Sequence, residues 1–426
     1  MIELSDLATS GNSYMFAGVD ASDRSGFSVS AAGDVDGDNI ADLIIGAPDA
    51  APNGTKSGEA YFISGADLAA LNLASGANGV IELSDVAAGS KSYQFNGASV
   101  GDRAGFVVSS AGDVDKDGKG DLFIGAERGD SAGVDSGTGY LIFGTDLAAL
   151  DAASSTNGVI ELSDVATTGS SYRFDGADPG DRAGSAFSSL GDVDGDSIDD
   201  FIIGASYADI SGKSNAGAAY FISGADLAAL DAASSGTPGV IDLSDVAAAS
   251  KSYQFNGILA GDQAGKSVSF VGDVDGDNIT DFIIGARYGD GNGTDSGDLF
   301  LISGADLAAL DTAGGAAADG VIELSDVAAI GNSYHFIGAA AGDQAGKSVS
   351  FAGDVDGDGK GDFIIGAIRH DPNGVVGDAG ATYLVSGADL AALDAVSGTD
   401  GVIDLADVLC FARGTLIQTQ LGEVPI

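Results

Sequence analysis

The decapeptide Gly33-Asp-Val-Asp-Gly-Asp-Asn-Ile-Ala-Asp42 sets carboxylates at loop positions 1, 3, 5 and 9, namely Asp34, Asp36, Asp38 and Asp42. An apolar run, Leu43 to Ile45, follows at once. Three chemistries use such spacing: a cation cage, a pair of carboxylates for acid–base work, and a solvated Asp/Gly turn. Carboxylates at positions 1, 3 and 5 of a tight turn converge on one point. A backbone carbonyl at position 7 and the carboxylate at position 9 complete an oxygen cage. Hard oxygen donors in that number suit Ca²⁺, which takes about six to eight flexible ligands, better than Mg²⁺, which prefers a smaller octahedron and keeps its waters.

Recurrence separates these chemistries. The same loop stands at Asp113, Asp115, Asp117, Lys119 and Asp121; at Asp192, Asp194, Asp196, Ile198 and Asp200; at Asp273, Asp275, Asp277, Ile279 and Asp281; and at Asp354, Asp356, Asp358, Lys360 and Asp362, with Ile40 at position 7 of the first copy. An active site is usually singular, and these loops come five times. Four like charges within nine residues repel, so packing them against a core without a cation is costly. The expectation is about five Ca²⁺ ions, one per repeat. An EF-hand is excluded, because it needs a bidentate Glu at position 12 and flanking helices. Here position 12 is Ile45, Ile124, Ile203, Ile284 or Ile365, inside a strand pattern.

The elements that must position the loops are read from the period. The Gly-Asp-Val-Asp stretch begins at Gly33, Gly112, Gly191, Gly272 and Gly353, and Tyr-x-Phe keeps the same beat from Tyr14/Phe16 to Tyr334/Phe336. This gives repeats at about 2–80, 81–159, 160–240, 241–321 and 322–402. In the first, Gly26–Val35 alternates as a strand, and Asp42–Ala47 is a short apolar strand buried on both faces. Gly58–Ser64 is a third strand, Ala66–Leu71 a short helix, and Lys91–Gly97 a fourth strand, preceded by Gly79–Val86. Four short strands per repeat form a propeller blade, which stacks on neighbours because it cannot bury its faces alone. The last repeat lacks a fourth strand. Ser13–Gly18 reads as a lone fourth strand that could complete that blade and close a five-bladed ring; the alternative is part of a larger, seven-bladed ring.

Lys plus Arg is 17 and Asp plus Glu is 64, a formal charge of −47. Such a chain cannot neutralise phosphates, so nucleic acid and anionic membranes are excluded as partners. With 44% hydrophobic residues the chain is packed rather than disordered. No apolar run is long enough to span a membrane. The one cysteine, Cys410, rules out an internal disulfide framework. The N-terminus lacks the basic and apolar regions of a signal peptide and begins inside a repeat, so either the true start lies upstream or export uses no N-terminal signal.

Gly33 to Pro48 resembles the FG-GAP repeat of integrin α-chain propellers and related bacterial proteins. The resemblance covers about residues 2–402. It implies an all-β propeller whose loops join the first two strands of each blade and bind Ca²⁺, with the aspartates above matching the family's ligands. It further implies an extracellular or cell-surface adhesion or interaction module, monomeric, with a protein or glycan ligand. The Phe-Gly pair is replaced by Ser25-Gly26 or by Ala-Gly (Ala104, Ala183, Ala264, Ala345), and Gly-Ala-Pro survives only at Gly46-Ala47-Pro48. Alternatives are a carbohydrate-active propeller enzyme and the cargo of a self-processing precursor.

Other motifs carry less. Arg128-Gly129-Asp130 has the tripeptide that integrins recognise, but Asp209, Asp290 and Asp371 share the column of Asp130, so Asp130 follows the repeat and the two residues before it read as drift. Asp23, Asp102, Asp181, Asp262 and Asp343 precede each first strand and read as turn caps, with Arg24, Arg103 and Arg182 pairing with nearby aspartates. His335 and His370 have no partner set for zinc or a triad, and read as surface or loop residues. From Val408 the repeat stops. Residues 403–426 read as a linker and the start of a Hint (hedgehog/intein) domain, which they resemble in Cys410, Phe411, Gly414, Thr415, Ile417, Thr419, Gly422 and Pro425. In that family the first Cys attacks the preceding peptide bond. No His follows His370, so Cys410 would act only in a fuller precursor.

Overall fold

The computed structural model describes residues 13–234, 236–313, 318–371, 378–398, 401–412, 417–419 and 422–424. It divides into two compact units: Met1–Ser189 with Ile198–Ile203 and Ile222–Ala249, and Leu190–Ser197 with Gly204–Phe221 and Ser250–Ile426. The fold is all-β, a series of propeller-type sheets with short helices between them.

In the first unit one sheet has the order Val159–Glu161, Tyr93–Asn96, Glu59–Ile63, Asp42–Ala47, Ser28–Gly33. A second repeats it with Val240–Asp242, Tyr172–Asp175, Thr138–Ile142, Asp121–Ala126 and Ala104–Gly112. The four inner strands are antiparallel, as the period predicts. The fifth was not anticipated: a three-residue strand of the following repeat joins in parallel, Ile160 opposite Phe95. It lies in the Gly79–Val86 type of segment, whose remainder forms a 3₁₀ turn such as Leu83–Ala88. In these sheets the fourth strand is thereby paired on both sides, and the edge becomes a strand of only three residues. Met15–Ala17 follows the same rule, lying parallel to Val80–Glu82.

The second unit holds the sheet Ser267–Gly272, Asp281–Ala286, Asp298–Ile302, Tyr334–Ile337 and Val402–Asp404, and a three-stranded sheet Ala345–Gly353, Asp362–Ala367 and Ala381–Ser386. No fourth strand joins the latter among the described residues. A further sheet has the order Ala186–Gly191, Asp200–Ala205, Ala218–Ile222, Tyr253–Asn256 and Val321–Glu323.

The burial follows the pattern of the sequence. The second strands Asp121–Ala126, Asp200–Ala205 and Asp281–Ala286 are buried at every residue, while the first strand Ser28–Gly33 alternates between half-buried and exposed over its first four residues. Phe95, Phe174, Phe255 and Phe336 are fully buried and the tyrosine two residues before each is half-buried. Removing such a ring leaves a cavity that costs about 3–5 kcal/mol. Gly46 and Gly125 are required by close approach: a Cβ would stand 2.1 Å from the Gly105 carbonyl oxygen at one and 2.2 Å from that of Gly184 at the other. Gly46 and Gly125 are thus contacts between backbones of neighbouring sheets.

The two histidines depart in part from the expectation: His370 lies in a loop, as expected, but not at the surface, and His335 lies in a strand. His370 is buried, with Nδ1 2.7 Å from Asp343 Oδ2. His335 sits within a strand and stacks on Phe300 at 4.6 Å between ring centroids. Burial by neighbouring strands, invisible in a one-residue motif, accounts for both. In the C-terminal segment Cys410 and Phe411 lie within the helix Leu405–Ala412, and Ile417–Thr419 pairs antiparallel with Gly422–Val424. Gly414, Thr415 and Pro425 of the Hint-like pattern lie outside the described residues.

Candidate metal centre

Four of the loops are entered through a bulge. The register of the first two strands shifts between Ala31 and Gly33, between Ser110 and Gly112, between Phe270 and Gly272 and between Phe351 and Gly353. The glycine of each pair has positive φ, 79° at Gly33 and 87° at Gly112, and so re-aims the chain out of the ladder. Within the loop, positions 4 and 6 are also left-handed: Gly37 and Asn39, Lys116 and Gly118, Gly195 and Ser197, Gly276 and Asn278, Gly357 and Gly359. Glycine and asparagine supply this conformation cheaply, whereas Lys116 is held in it at a cost.

The turn directs side chains inward. Asp34 accepts from the Asp38 and Asn39 amides at 2.9 and 2.8 Å, and Asp36 from the Asp38 amide at 3.0 Å. The other loops reproduce this, for example Asp113 with the amides of Asp117 and Gly118, both at 3.0 Å. In all five, carboxylate oxygens from positions 1, 3 and 9 lie within 4.8 Å of one another: Asp34, Asp36, Asp42; Asp113, Asp115, Asp121; Asp192, Asp194, Asp200; Asp273, Asp275, Asp281; Asp354, Asp356, Asp362. The position-5 aspartates Asp38, Asp117, Asp196, Asp277 and Asp358 stand outside these groups. Asp38, Asp117, Asp277 and Asp358 accept through Oδ1 from the position-7 amides of Ile40, Lys119, Ile279 and Lys360, at 2.7–2.9 Å. Sequence spacing alone treats positions 1, 3 and 5 as equivalent; the amide that each position-5 carboxylate accepts from distinguishes it.

The position-9 aspartate has a second task that spacing did not show. Asp42, Asp121, Asp200 and Asp281 are fully buried. Asp42 Oδ2 accepts from the Val35 amide at 2.8 Å, and Oδ1 from the Gly65 amide at 2.9 Å. Gly65 opens the short helix after the third strand, so one carboxylate ties loop, second strand and helix together. Asp121 repeats this with Val114 and Gly144, Asp281 with Val274 and Gly304, and Asp362 with Val355 and Gly387. Burial pushes the Asp121 carboxyl up to about 8 and that of Asp281 up to about 7, opposed by those amides and reinforced by the neighbouring carboxylates. A bound divalent cation reverses this balance. The donor set contains only hard oxygens, which fits such an ion.

Cationic side chains enter two loops. Lys91 Nζ lies 3.1 Å from both Asp36 Oδ1 and Asp38 Oδ2, and Lys251 Nζ lies 3.0 Å from Asp194 Oδ1 and 3.7 Å from Asp196 Oδ2.

The turn aspartates behave as caps. Asp23, Asp102, Asp181, Asp262 and Asp343 each accept through Oδ2 from the amide three residues earlier, at 2.9–3.0 Å. Arg24 and Arg103 pair with Asp49 at 3.2 and 3.1 Å, and Arg103 also with Glu127 at 2.6 Å. In the Arg-Gly-Asp stretch the Gly129 amide donates to the Ala126 carbonyl and Asp130 accepts from the Asp135 amide at 2.8 Å, so this aspartate organises its own loop.

A family model described as the FG-GAP repeat matches the chain over residues 25–63 and 183–222. No curated protein matches it. Both matched stretches run from the first strand through the acidic loop to the third strand, so the FG-GAP likeness falls on the segments that carry the first and third carboxylate groups.

Proposed function

We propose that the protein is a calcium-binding β-propeller of the extracellular space or cell surface that serves as an adhesion or interaction module for a protein or glycan ligand. The observation that carries this reading is the convergence of three carboxylates in every loop, each group including a buried aspartate that also fastens the blade. Two matches to the FG-GAP repeat, the family of interaction propellers, support it. Ca²⁺ would be held by the aspartates at positions 1, 3 and 9, with the position-5 side chain and the position-7 carbonyls of Ile40, Lys119, Ile198, Ile279 and Lys360 completing the shell. The ion supplies the positive charge that buried carboxylates otherwise lack, so binding couples to folding. Affinities in the weak extracellular range, about 10⁻⁴–10⁻³ M, suit such a role. The test is thermal unfolding in millimolar Ca²⁺ and in EGTA. Chelation lowers the melting temperature markedly and added Ca²⁺ restores it; the same melting temperature in both solutions overturns the reading.

A further inference from the structure

The five loops are nearly identical in sequence, but the residue that overhangs each one is not. In the first repeat Asp67, buried at the helix N-terminus, accepts from Ser90 Oγ at 2.7 Å, the Lys91 amide at 2.8 Å and Ser92 Oγ at 2.9 Å. This staples the segment before the fourth strand over the loop. Asp146 holds Ser170 and Ser171 the same way, through their amides at 2.6 and 2.8 Å, and Asp306 holds the Asn332 amide at 2.8 Å and Ser333 Oγ at 2.9 Å. The backbone anchor is constant while the side chain on it changes: Lys91, Ser170, Lys251, Asn332.

What each side chain does to its loop differs accordingly. Lys91 and Lys251 place an ammonium on the position-3 and position-5 carboxylates. Asn332 donates from Nδ2 to Asp275 Oδ2 at 3.0 Å. At the equivalent place of the second loop stands Ser170, whose short side chain brings no charge. A lysine ammonium and a bound cation satisfy the same oxygens, and both cannot occupy the group at full strength.

We infer that Lys91 and Lys251 are built-in competitors of the metal, so the first four loops form two affinity classes: the first and third take up a divalent cation only by displacing the lysine, and the second and fourth bind it more tightly. This rests on the calcium reading above and deepens it into a graded response. A lysine half exposed to water, with side-chain exposure of 41% and 43% at the two sites, is a weak competitor. The expected separation is therefore modest, a factor of about two to five per loop.

The test is calorimetric titration of the whole chain with CaCl₂ after chelator treatment, comparing the native sequence with Lys91→Met/Lys251→Met, Lys91→Arg/Lys251→Arg and Ser170→Lys. Native protein is expected to show a tight and a weak class. The Met pair moves two sites from the weak class to the tight one, the Arg pair leaves them weak, and Ser170→Lys moves one site the other way. Far-UV circular dichroism checks that each variant folds. A native-like isotherm for the Met pair overturns the inference while leaving the calcium reading intact. Absence of heat in every variant overturns both.

Discussion

The strand Ala104–Gly112 is capped by a buried aspartate at each end of its path, and the two aspartates make opposite use of burial. Asp102 stands just before the strand; Asp121 stands beyond the loop that follows it. Both are almost inaccessible, at 4% and 0% exposure. Asp121 has acceptors engaged on both oxygens, by the Val114 and Gly144 amides, and two further carboxylates beside it. Asp102 is engaged on Oδ2 alone, by the Ser99 amide, while Oδ1 has no hydrogen-bond partner. Burial pushes its carboxyl up to about 6, with Asp130 adding to the rise and the Ser99 amide opposing it. The difference teaches that recurrence of a buried acid does not make a site. One aspartate is a pin in a group of three carboxylates; the other is a turn cap that tolerates a proton.

Breaking the loop end has the largest expected effect. Asp121→Ala leaves two buried amides without acceptors, a loss of roughly 2–5 kcal/mol in denaturant unfolding. Because the pin acts without metal, the loss persists in EGTA. Asp115→Asn, at an exposed position of the same group, is expected to lower stability only when Ca²⁺ is present. Equal losses for both variants in EGTA would erase the distinction between pin and ligand.

The turn end responds in the other direction. An acid whose folded value lies above its unfolded one holds its proton better in the folded chain, so its contribution is favourable below about pH 4 and is lost as pH rises through about 6. Asp102→Asn keeps an acceptor for the Ser99 amide and removes the buried charge. It is expected to stabilise the protein by about 1–3 kcal/mol at pH 7 and by almost nothing at pH 4. Asp262, pushed up to about 6 mainly by burial, offers the same test in another repeat. A pH-independent effect of either substitution would mean that the charge is not what the fold resists.

The smallest effect sharpens the comparison within the loop itself. Lys116 holds φ at 61° where the other loops have glycine at position 4. Lys116→Gly relieves that conformation and is expected to raise stability by about 0.5–1 kcal/mol, measured in EGTA so that the metal does not contribute.

Much of this was legible in the chain. The fivefold period, the strand that follows each loop, and the aspartates at positions 1, 3 and 9 are local facts, because a tight turn and an alternating strand are specified within about ten residues. That Asp38, Asp117, Asp277 and Asp358 also hold the position-7 amides was not legible from spacing. Nor was the fifth strand: Val159–Glu161 is too short to announce itself, and its partner Tyr93–Asn96 lies more than sixty residues away.

By itself the sequence determined the repeat, the oxygen donors and the glycines that let the chain turn, because these depend on spacing and on backbone conformation at single residues. Only the tertiary structure decided what surrounds them. It brought Gly65 to Asp42 and Lys91 to Asp36, and it buried His370 against Asp343. Those contacts join residues 23, 55 and 27 positions apart, and packing of strand on strand, rather than any local pattern, sets which side chain meets which charge.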